Sequence, residues 1–336
     1  MTERRVSMAD VAAAAQVSGQ TVSRVVNGSV RVDPGTRARV EAAMAHLGYR
    51  PHRAARALRT GRTHTFGVIV QTLATVGNTR MLETIVAAAA RRGFAVVVAS
   101  PVGSSGADAE AAFAALADQG VDGAIVLNEA TPSALAARIP VALPVVALDS
   151  GGDPRVISVE SDHAGGAAQA TRHLLAHGAP TVHHLAGPAG SYAANERERG
   201  WREALAAAGL AAPDVRRGDW TAASGYDAGR AWAADADVRA IFAANDQLAL
   251  GVLRALHEAG RAVPEDVAVV GFDDVLDAAE YWPPLSTVRQ DFAALGEQAV
   301  AALVEPDAPR SRTVVPTTLV VRASSGSMAG AADWRW

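Results

Sequence analysis

The chain has 336 residues, 49% hydrophobic but only 5% aromatic, so its core must be packed mainly by aliphatic side chains. The absence of cysteine excludes disulfide bonds and metal sites built on cysteine. The first residues lack the apolar run of a secretory signal, and no uncharged stretch reaches the roughly 18 apolar residues of a membrane span. We therefore expect a cytoplasmic, nucleoid-associated protein with no membrane partner.

The charge is distributed unevenly along the chain. The net charge is −4, but residues 1–62 carry eleven arginines against four carboxylates, and the remainder has a net charge of −11. Concentrated positive charge is typical of a segment that binds a polyanion, because neutralising phosphates releases counterions. A solvated basic tail is the alternative.

Three short helices are predicted near the start, over residues 8–15, 19–26 and 34–47. Ser7 has the Ser-x-x-Asp pattern of a helix start, and Asp33 precedes a proline at the first helical position. Two helices joined by a three-residue turn are the arrangement of a helix-turn-helix, whose second helix enters a major groove about 12 Å wide. The second helix directs these polar residues outward: Gln20, Thr21, Ser23 and Arg24.

This segment resembles the head of the LacI/GalR (lac-repressor) family. The resemblance lies in MADVAAAAQVSGQTVSRVVNG and VEAAMAHLGYRP. It implies that Gln20 and Arg24 read base edges, whereas the supporting or phosphate-contacting residues are Ser18, Thr21, Ser23 and Asn27. Gly19 departs from the family, which often has a base-reading side chain there, so one specificity contact is missing. A generic three-helix bundle is the alternative.

Residues 51–62 form a short arginine-rich segment. A helix of this length is marginal in water, so we expect it to fold only when its cations meet phosphate. The resemblance implies a hinge helix in the minor groove, paired with that of a second subunit, with Arg53 and Arg56 near the DNA. It also implies that Leu58 wedges between base pairs and that Ala55 permits close approach. Ordinary helix packing is the alternative for Leu58.

From Thr65 onward, short apolar runs alternate with alanine-rich helical segments. Predicted strands are 66–70, 95–99, 124–127, 145–148, 182–185, 240–243 and 267–270, and predicted helices are 80–92, 108–119, 162–177, 194–208, 222–234 and 246–259. The pattern predicts an α/β core of two doubly wound parallel sheets, with ligand at the carboxyl ends of the strands. No Gly-x-Gly-x-x-Gly follows the first strand, and the absence of lysine excludes a Walker loop.

The core also resembles the LacI/GalR family, through LAGPAGSYAANERERGW, FAANDQLALGVLRAL, DVAVVGFDD and PPLSTVRQDF. The resemblance implies a periplasmic-binding-protein-like core whose chain crosses between lobes three times. Lobe one is expected to combine 63–161 with 291–319, and lobe two 162–290 with 320–330.

The resemblance also implies a polar ligand site between the lobes. Its expected residues are Leu73, Thr75, Asp149, Arg197, Trp220, Asn245, Asp273, Gln290 and Phe292. Arg197 offers a fork of donors for sugar hydroxyls or a carboxylate, and Trp220 an apolar face for a pyranose ring. The alternatives are that the two aspartates cap turns, that Arg197 makes a lobe-closing ion pair, and that Trp220 belongs to the core. No metal ligands or cofactor are expected.

Together these features predict a non-enzymatic transcription repressor. We expect a homodimer on a near-palindromic double-stranded operator, because two-fold protein symmetry requires two-fold DNA. A small sugar effector, a mono- or disaccharide with a galactoside as first choice, is expected to control operator affinity. The alternatives are a solute-binding protein and a corepressor-dependent regulator of another metabolite.

Overall fold

The structure, a computed structural model, describes residues 6–26, 29, 31–49, 61–305 and 312–326. The chain divides into two compact units, residues 1–64 and 65–336. Of the hinge predicted over residues 51–62, residues 51–60 lie outside the described residues.

The first unit contains three helices, α1 (Met8–Ala15), α2 (Gly19–Val26) and α3 (Pro34–Leu47). Ser7 and Asp10 form a capping box at the start of α1, and the Asp33 side chain caps α3. These helices close a small core of Val11, Ala12, Ala15, Val22, Val25, Val40, Ala43 and Tyr49. The predicted helices and their caps are therefore present.

The second unit contains two six-stranded sheets, each defining one lobe. The sheet of lobe one has the order β11-β5-β4-β3-β1-β2 and is parallel throughout. Its strands are β1 (Thr65–Ile69), β2 (Ala95–Ala99), β3 (Gly123–Val126), β4 (Val145–Leu148), β5 (Ile157–Ser161) and β11 (Arg312–Val315). Its helices are α4 (Val76–Arg91), α5 (Gly106–Asp118), α6 (Thr131–Ala136) and α11 (Phe292–Val304), with a 3₁₀ turn at Asn128–Ala130.

The sheet of lobe two has the order β12-β10-β9-β8-β6-β7, and only its edge strand β12 is antiparallel. Its strands are β6 (His183–Ala186), β7 (Arg216–Arg217), β8 (Ala240–Ala243), β9 (Ala268–Asp273), β10 (Ser286–Gln290) and β12 (Thr317–Val320). Its helices are α7 (His163–Ala176), α8 (Tyr192–Ala207), α9 (Ala222–Ala233) and α10 (Asp246–Glu258), with a 3₁₀ turn at Leu276–Glu280.

The chain passes between the sheets at Asp162, Asp291 and Pro316. The last passage precedes the predicted boundary at 319–320, because β12 already pairs with β10 from Thr317. Proline lacks the N–H needed to continue a strand ladder, which explains why β11 ends there. The three passages place strand ends of both lobes side by side.

The lobes are packed by four separate clusters of aliphatic and aromatic side chains, two in each lobe. Trp201 is the largest fully buried side chain, and its indole N–H donates to the Val182 carbonyl at 2.8 Å. Within the described part of the chain, no helix is both long and apolar enough to cross a membrane.

Candidate ligand cleft and nucleic-acid interface

A narrow cleft with a volume of about 50 Å³ lies between the two lobes of the core. It opens where β4 and β5 of lobe one and β9 and β10 of lobe two end, as expected for ligand sites of parallel α/β sheets. Its lining includes residues of both lobes and residues that flank two of the passages between them, at Asp162 and Asp291.

Arg197 of α8 is buried in the wall of lobe two, where it contacts three polar groups of the same lobe. Its Nε donates to Nδ1 of His163 at 3.3 Å, and another guanidinium nitrogen donates to the Ala244 carbonyl. A third nitrogen lies 3.5 Å from Oδ1 of Asp273, and the guanidinium carbon is 3.8 Å from the ring centre of Phe272. Arg197 and Asp273 both belong to lobe two, so their ion pair does not close the lobes.

His163 connects the lobes. It is 2% exposed, and its Nε2 lies 2.9 Å from Oδ1 of Asp149, which follows β4 in lobe one. Because Nδ1 accepts from Arg197, a neutral imidazole carries its proton on Nε2 and donates to Asp149. The result is a chain of hydrogen bonds from Arg197 through His163 to Asp149 that spans the cleft.

A second set of hydrogen bonds joins the lobes through β5 and β10, the strands that end just before the passages at Asp162 and Asp291. Ser161, the last residue of β5, donates to Oε1 of Gln290 at 2.5 Å, and Gln290 Nε2 donates to Oδ1 of Asp273 at 2.6 Å. Burial raises the pKa of Asp273 above its usual value, although the adjacent Arg197 and the hydrogen bond from Gln290 oppose this shift. Asp273 is therefore an acceptor already held from two sides.

Trp220 and Asn245 form the remaining part of the lobe-two wall. Asn245 caps α10 by accepting from the Leu248 N–H at 2.8 Å, and its Nδ2 donates to the Trp220 carbonyl at 3.2 Å. Trp220 is 8% exposed, and its indole N–H finds no acceptor among the described residues. The absence of a side chain at Gly187 leaves room for the indole, since a Cβ there would lie 2.3 Å from the ring.

The cleft concentrates unusual backbone conformations. Asn128, Asp149, Trp220 and Asp273 have φ values of 39°, 57°, 72° and 115°, in the region that favours glycine. Such conformations cost about 1–3 kcal/mol each and persist where surrounding structure holds them, often at functional sites. Each of these four residues lines the cleft.

The wall of lobe one is polar as well. Asn78 of α4 is fully buried, and its Nδ2 donates to Oε2 of Glu129 at 2.8 Å. Asn128 donates to Oδ1 of Asn78 at 2.6 Å. Both Asn128 and Glu129 lie within three residues of the end of β3 at Val126.

Eight of the nine predicted ligand residues line this cleft: Thr75, Asp149, Arg197, Trp220, Asn245, Asp273, Gln290 and Phe292. Leu73, the ninth, is not among the residues that line the cleft and is 48% exposed. The helix predicted over 80–92 begins at Val76, so a tight turn precedes it, in which Thr72 accepts hydrogen bonds from Ala74 and Asn78.

The sequence prediction missed five polar lining residues: Asn78, Asn128, Glu129, Ser161 and His163. Four of them stand at or directly after the carboxyl ends of β3 and β5. The rule that ligands bind at the carboxyl ends of parallel strands identifies such positions.

The head presents the predicted reading helix. Gln20 and Arg24 of α2 are exposed, Thr21 and Ser23 are half-buried, and Val22 and Val25 face the core. Ser18 is exposed and accepts from the Thr21 N–H at 3.1 Å, so it caps α2. The other predicted DNA contacts lie outside the described residues: Asn27, Arg53, Ala55, Arg56 and Leu58.

A helix-turn-helix head together with a two-lobed core around a polar cleft defines a ligand-regulated DNA-binding protein. The pattern of bacterial regulatory proteins of the lacI family matches residues 7–52, and that of a periplasmic binding protein-like domain matches residues 171–325. The chain is 39% identical over 340 residues to the HTH-type transcriptional regulator CelR of Thermobifida fusca, covering 96% of this chain and 98% of CelR.

Two solved structures extend the comparison. The lac repressor dimer bound to operator and the anti-inducer ONPF superposes with a TM-score of 0.85 at 34% identity, covering 96% of this chain and 100% of that one. A complex of the regulator CelR with cellobiose gives a TM-score of 0.69 at 37% identity, covering 95% and 100%. The chain belongs to the lacI family: it is a DNA-binding repressor with an effector-binding core, and not an enzyme.

Proposed function

We propose that a neutral sugar bound in the cleft controls the affinity of this repressor for its operator. The carrying observation is the balance of charge in the cleft lining. Among the described residues, Arg197 is the one arginine of this lining and already pairs with Asp273, whereas Asp149 and Glu129 add two further carboxylates. An anionic ligand would have to approach all three of these carboxylates.

The composition of the cleft favours a polyhydroxylated ligand. Amide, hydroxyl and carboxylate groups accept and donate the hydrogen bonds that sugar hydroxyls make, and Trp220 adds an aromatic surface. Among relatives, CelR has been solved with cellobiose, a β-linked disaccharide. A β-linked disaccharide, with galactosides and glucosides as the first tests, is therefore the proposed effector class.

The lobe-to-lobe contacts suggest how the effector acts. A sugar held between Asp149 of lobe one and Arg197 of lobe two would compete with or reinforce the His163 bridge, and so shift the angle between the lobes. Such coupling between effector and operator is reciprocal, so operator must change sugar affinity by the same factor. Residues 51–62, as hinge helices, would transmit the change.

A homodimer is the proposed functional form. A similar chain, the lac repressor at 34% identity, has been solved as a dimer bound to operator. A dimer would present two heads to a near-palindromic operator in the cytoplasm.

The test compares the full chain with a variant lacking residues 1–62. Operator sequences are first selected by the full chain from a random duplex library, and a panel of mono- and disaccharides is then screened by thermal shift. We expect both chains to bind the same sugar, only the full chain to bind duplex, and sugar to change that affinity. Sugar-independent operator binding would overturn the proposal, whereas tighter binding with sugar would identify a corepressor. If the truncated chain has the same DNA affinity as the full chain, a solute-binding protein is favoured instead.

A further inference from the structure

The wall of lobe one contains a carboxylate held in place by amides instead of a cation. Glu129 lies in the 3₁₀ turn after β3, and its Oε2 accepts from Asn78 Nδ2 at 2.8 Å. Asn128 in turn donates to Asn78 Oδ1 at 2.6 Å. The three residues form a connected polar strip along the cleft.

Asn78 has no N–H left to donate to a ligand. Its Nδ2 also donates to the Thr72 carbonyl at 2.9 Å, so both amide hydrogens are used, and its oxygen already accepts from Asn128. Asn78 is fully buried, and its role is to position its two neighbours.

Glu129, by contrast, has unused acceptor capacity. A carboxylate offers about four lone-pair sites. Among the described residues, only the Asn78 amide donates to Glu129, and no arginine or histidine forms an ion pair with it. A carboxylate in a partly desolvated wall without further donors is costly, and a ligand that supplies a hydroxyl removes that cost.

Glu129 and the charged groups of lobe two lie within electrostatic range. Burial is the main cause of the raised pKa of Asp273, and Glu129 adds to it from across the cleft. Glu129 also favours the charged form of Arg197. Because Glu129, Arg197 and Asp273 line the same cleft, one ligand can contact both walls.

We propose that Glu129, positioned by Asn78, is a specificity-determining acceptor that binds a hydroxyl group of the sugar on the lobe-one side of the cleft. This inference rests on the proposed function and assigns one wall of that site. It implies that the effector carries hydroxyl groups on both of its edges, since lobe two already supplies Arg197, Asn245 and Asp273.

A neutral hydroxyl suits this position better than an ammonium group. A hydroxyl group donates one charge-assisted hydrogen bond to a carboxylate, and its oxygen can still accept hydrogen bonds from neighbouring groups. An ammonium group must lose its hydration water and needs an acceptor for each of its three N–H groups. Glu129 supplies acceptors on one side of it only.

The decisive variant is Glu129→Gln. The Asn78 N–H needs an acceptor, so the glutamine oxygen must face Asn78 and its NH₂ must face the cleft. The substitution thus replaces an acceptor by a donor at unchanged shape. We expect the affinity for cellobiose, or for the disaccharide that binds best, to fall by about 10- to 150-fold. Glu203→Gln, at an exposed residue of α8, is the matched control and should leave affinity unchanged.

A cycle with monodeoxy analogues of the same disaccharide locates the contact. One deoxy analogue should bind the wild-type chain more weakly than the parent disaccharide does, by a similar factor. The same analogue should bind the Glu129→Gln variant only slightly more weakly than it binds the wild type. Calorimetry on the full chain measures both affinities, and an unchanged melting temperature verifies that the variant is folded.

The outcomes separate the two proposals. If disaccharide binds both proteins within twofold, the assignment of Glu129 is wrong while the proposed function stands. If glucosamine binds more tightly than neutral sugars and loses this preference in Glu129→Gln, the partner is an ammonium group and the hydroxyl assignment is wrong. If no sugar binds the wild-type chain, both proposals fail.

Discussion

Replacing Arg197 with methionine tests the electrostatic design of the cleft most directly. Methionine retains an unbranched stem but removes the donors to His163, to the Ala244 carbonyl and to Asp273. The Asp273 carboxylate, 4% exposed, then retains only the hydrogen bond from Gln290.

The size of the loss follows from the burial of the pair. Removing one partner of a buried ion pair costs about 3–5 kcal/mol. Because this pair borders an open cleft that admits water, we expect the lower end, about 3 kcal/mol at pH 8, or a fall in Tm of roughly 6–12 °C. Replacing both partners, Arg197→Met with Asp273→Asn, should recover most of this loss, since no buried charge is left unpaired.

The loss should depend on pH with a defined sign. Burial already raises the pKa of Asp273, and losing Arg197 raises it further. A carboxyl with a raised pKa in the folded state stabilises the fold below its ordinary pKa, and this contribution is lost as pH rises through the raised value. The deficit of Arg197→Met should therefore be larger at pH 8 than at pH 5.

Urea denaturation of the wild-type, single and double variants at both pH values measures these differences. A deficit that is equal at both pH values and is not relieved by Asp273→Asn would refute the reasoning, as would a single variant as stable as the wild type.

Three further predictions follow from other sites. Arg24→Ala should cost about 1–3 kcal/mol of operator affinity and relax preference at one base pair; selection from a random library checks this, and an unchanged consensus would remove Arg24 from the readers. Tyr192 of lobe two donates to the buried Glu160 of lobe one at 2.8 Å, so Tyr192→Phe should destabilise the core by about 1.5 kcal/mol; an unchanged melt would show that this lobe-to-lobe bond contributes nothing. Burial holds the pKa of Asp246 well above its usual value, so its stabilising contribution is lost as pH rises. Asp246→Asn should gain stability relative to the wild type between pH 5 and pH 8, and a constant difference would contradict this.

Local sequence patterns determined the head and the alternation of the core. The capping residues Ser7 and Asp33 mark helix starts through hydrogen bonds to backbone three residues away, so the sequence alone contains both partners. Continuous apolar runs likewise predict buried parallel strands, because both faces of such strands are covered. The resemblance to the family, and not the local pattern, supplied the predicted ligand residues, among them Asp149 and Asp273.

Tertiary structure alone decided which side chains meet in the cleft. The Asn78–Glu129 and Ser161–Gln290 hydrogen bonds join residues 51 and 129 positions apart, and His163 bridges to Asp149 only because the chain passes between lobes at Asp162. Periodicity and capping describe neighbours within a few residues. The angle and packing of two sheets set the longer pairings, and with them the available donors of Arg197 and the unused acceptor of Glu129.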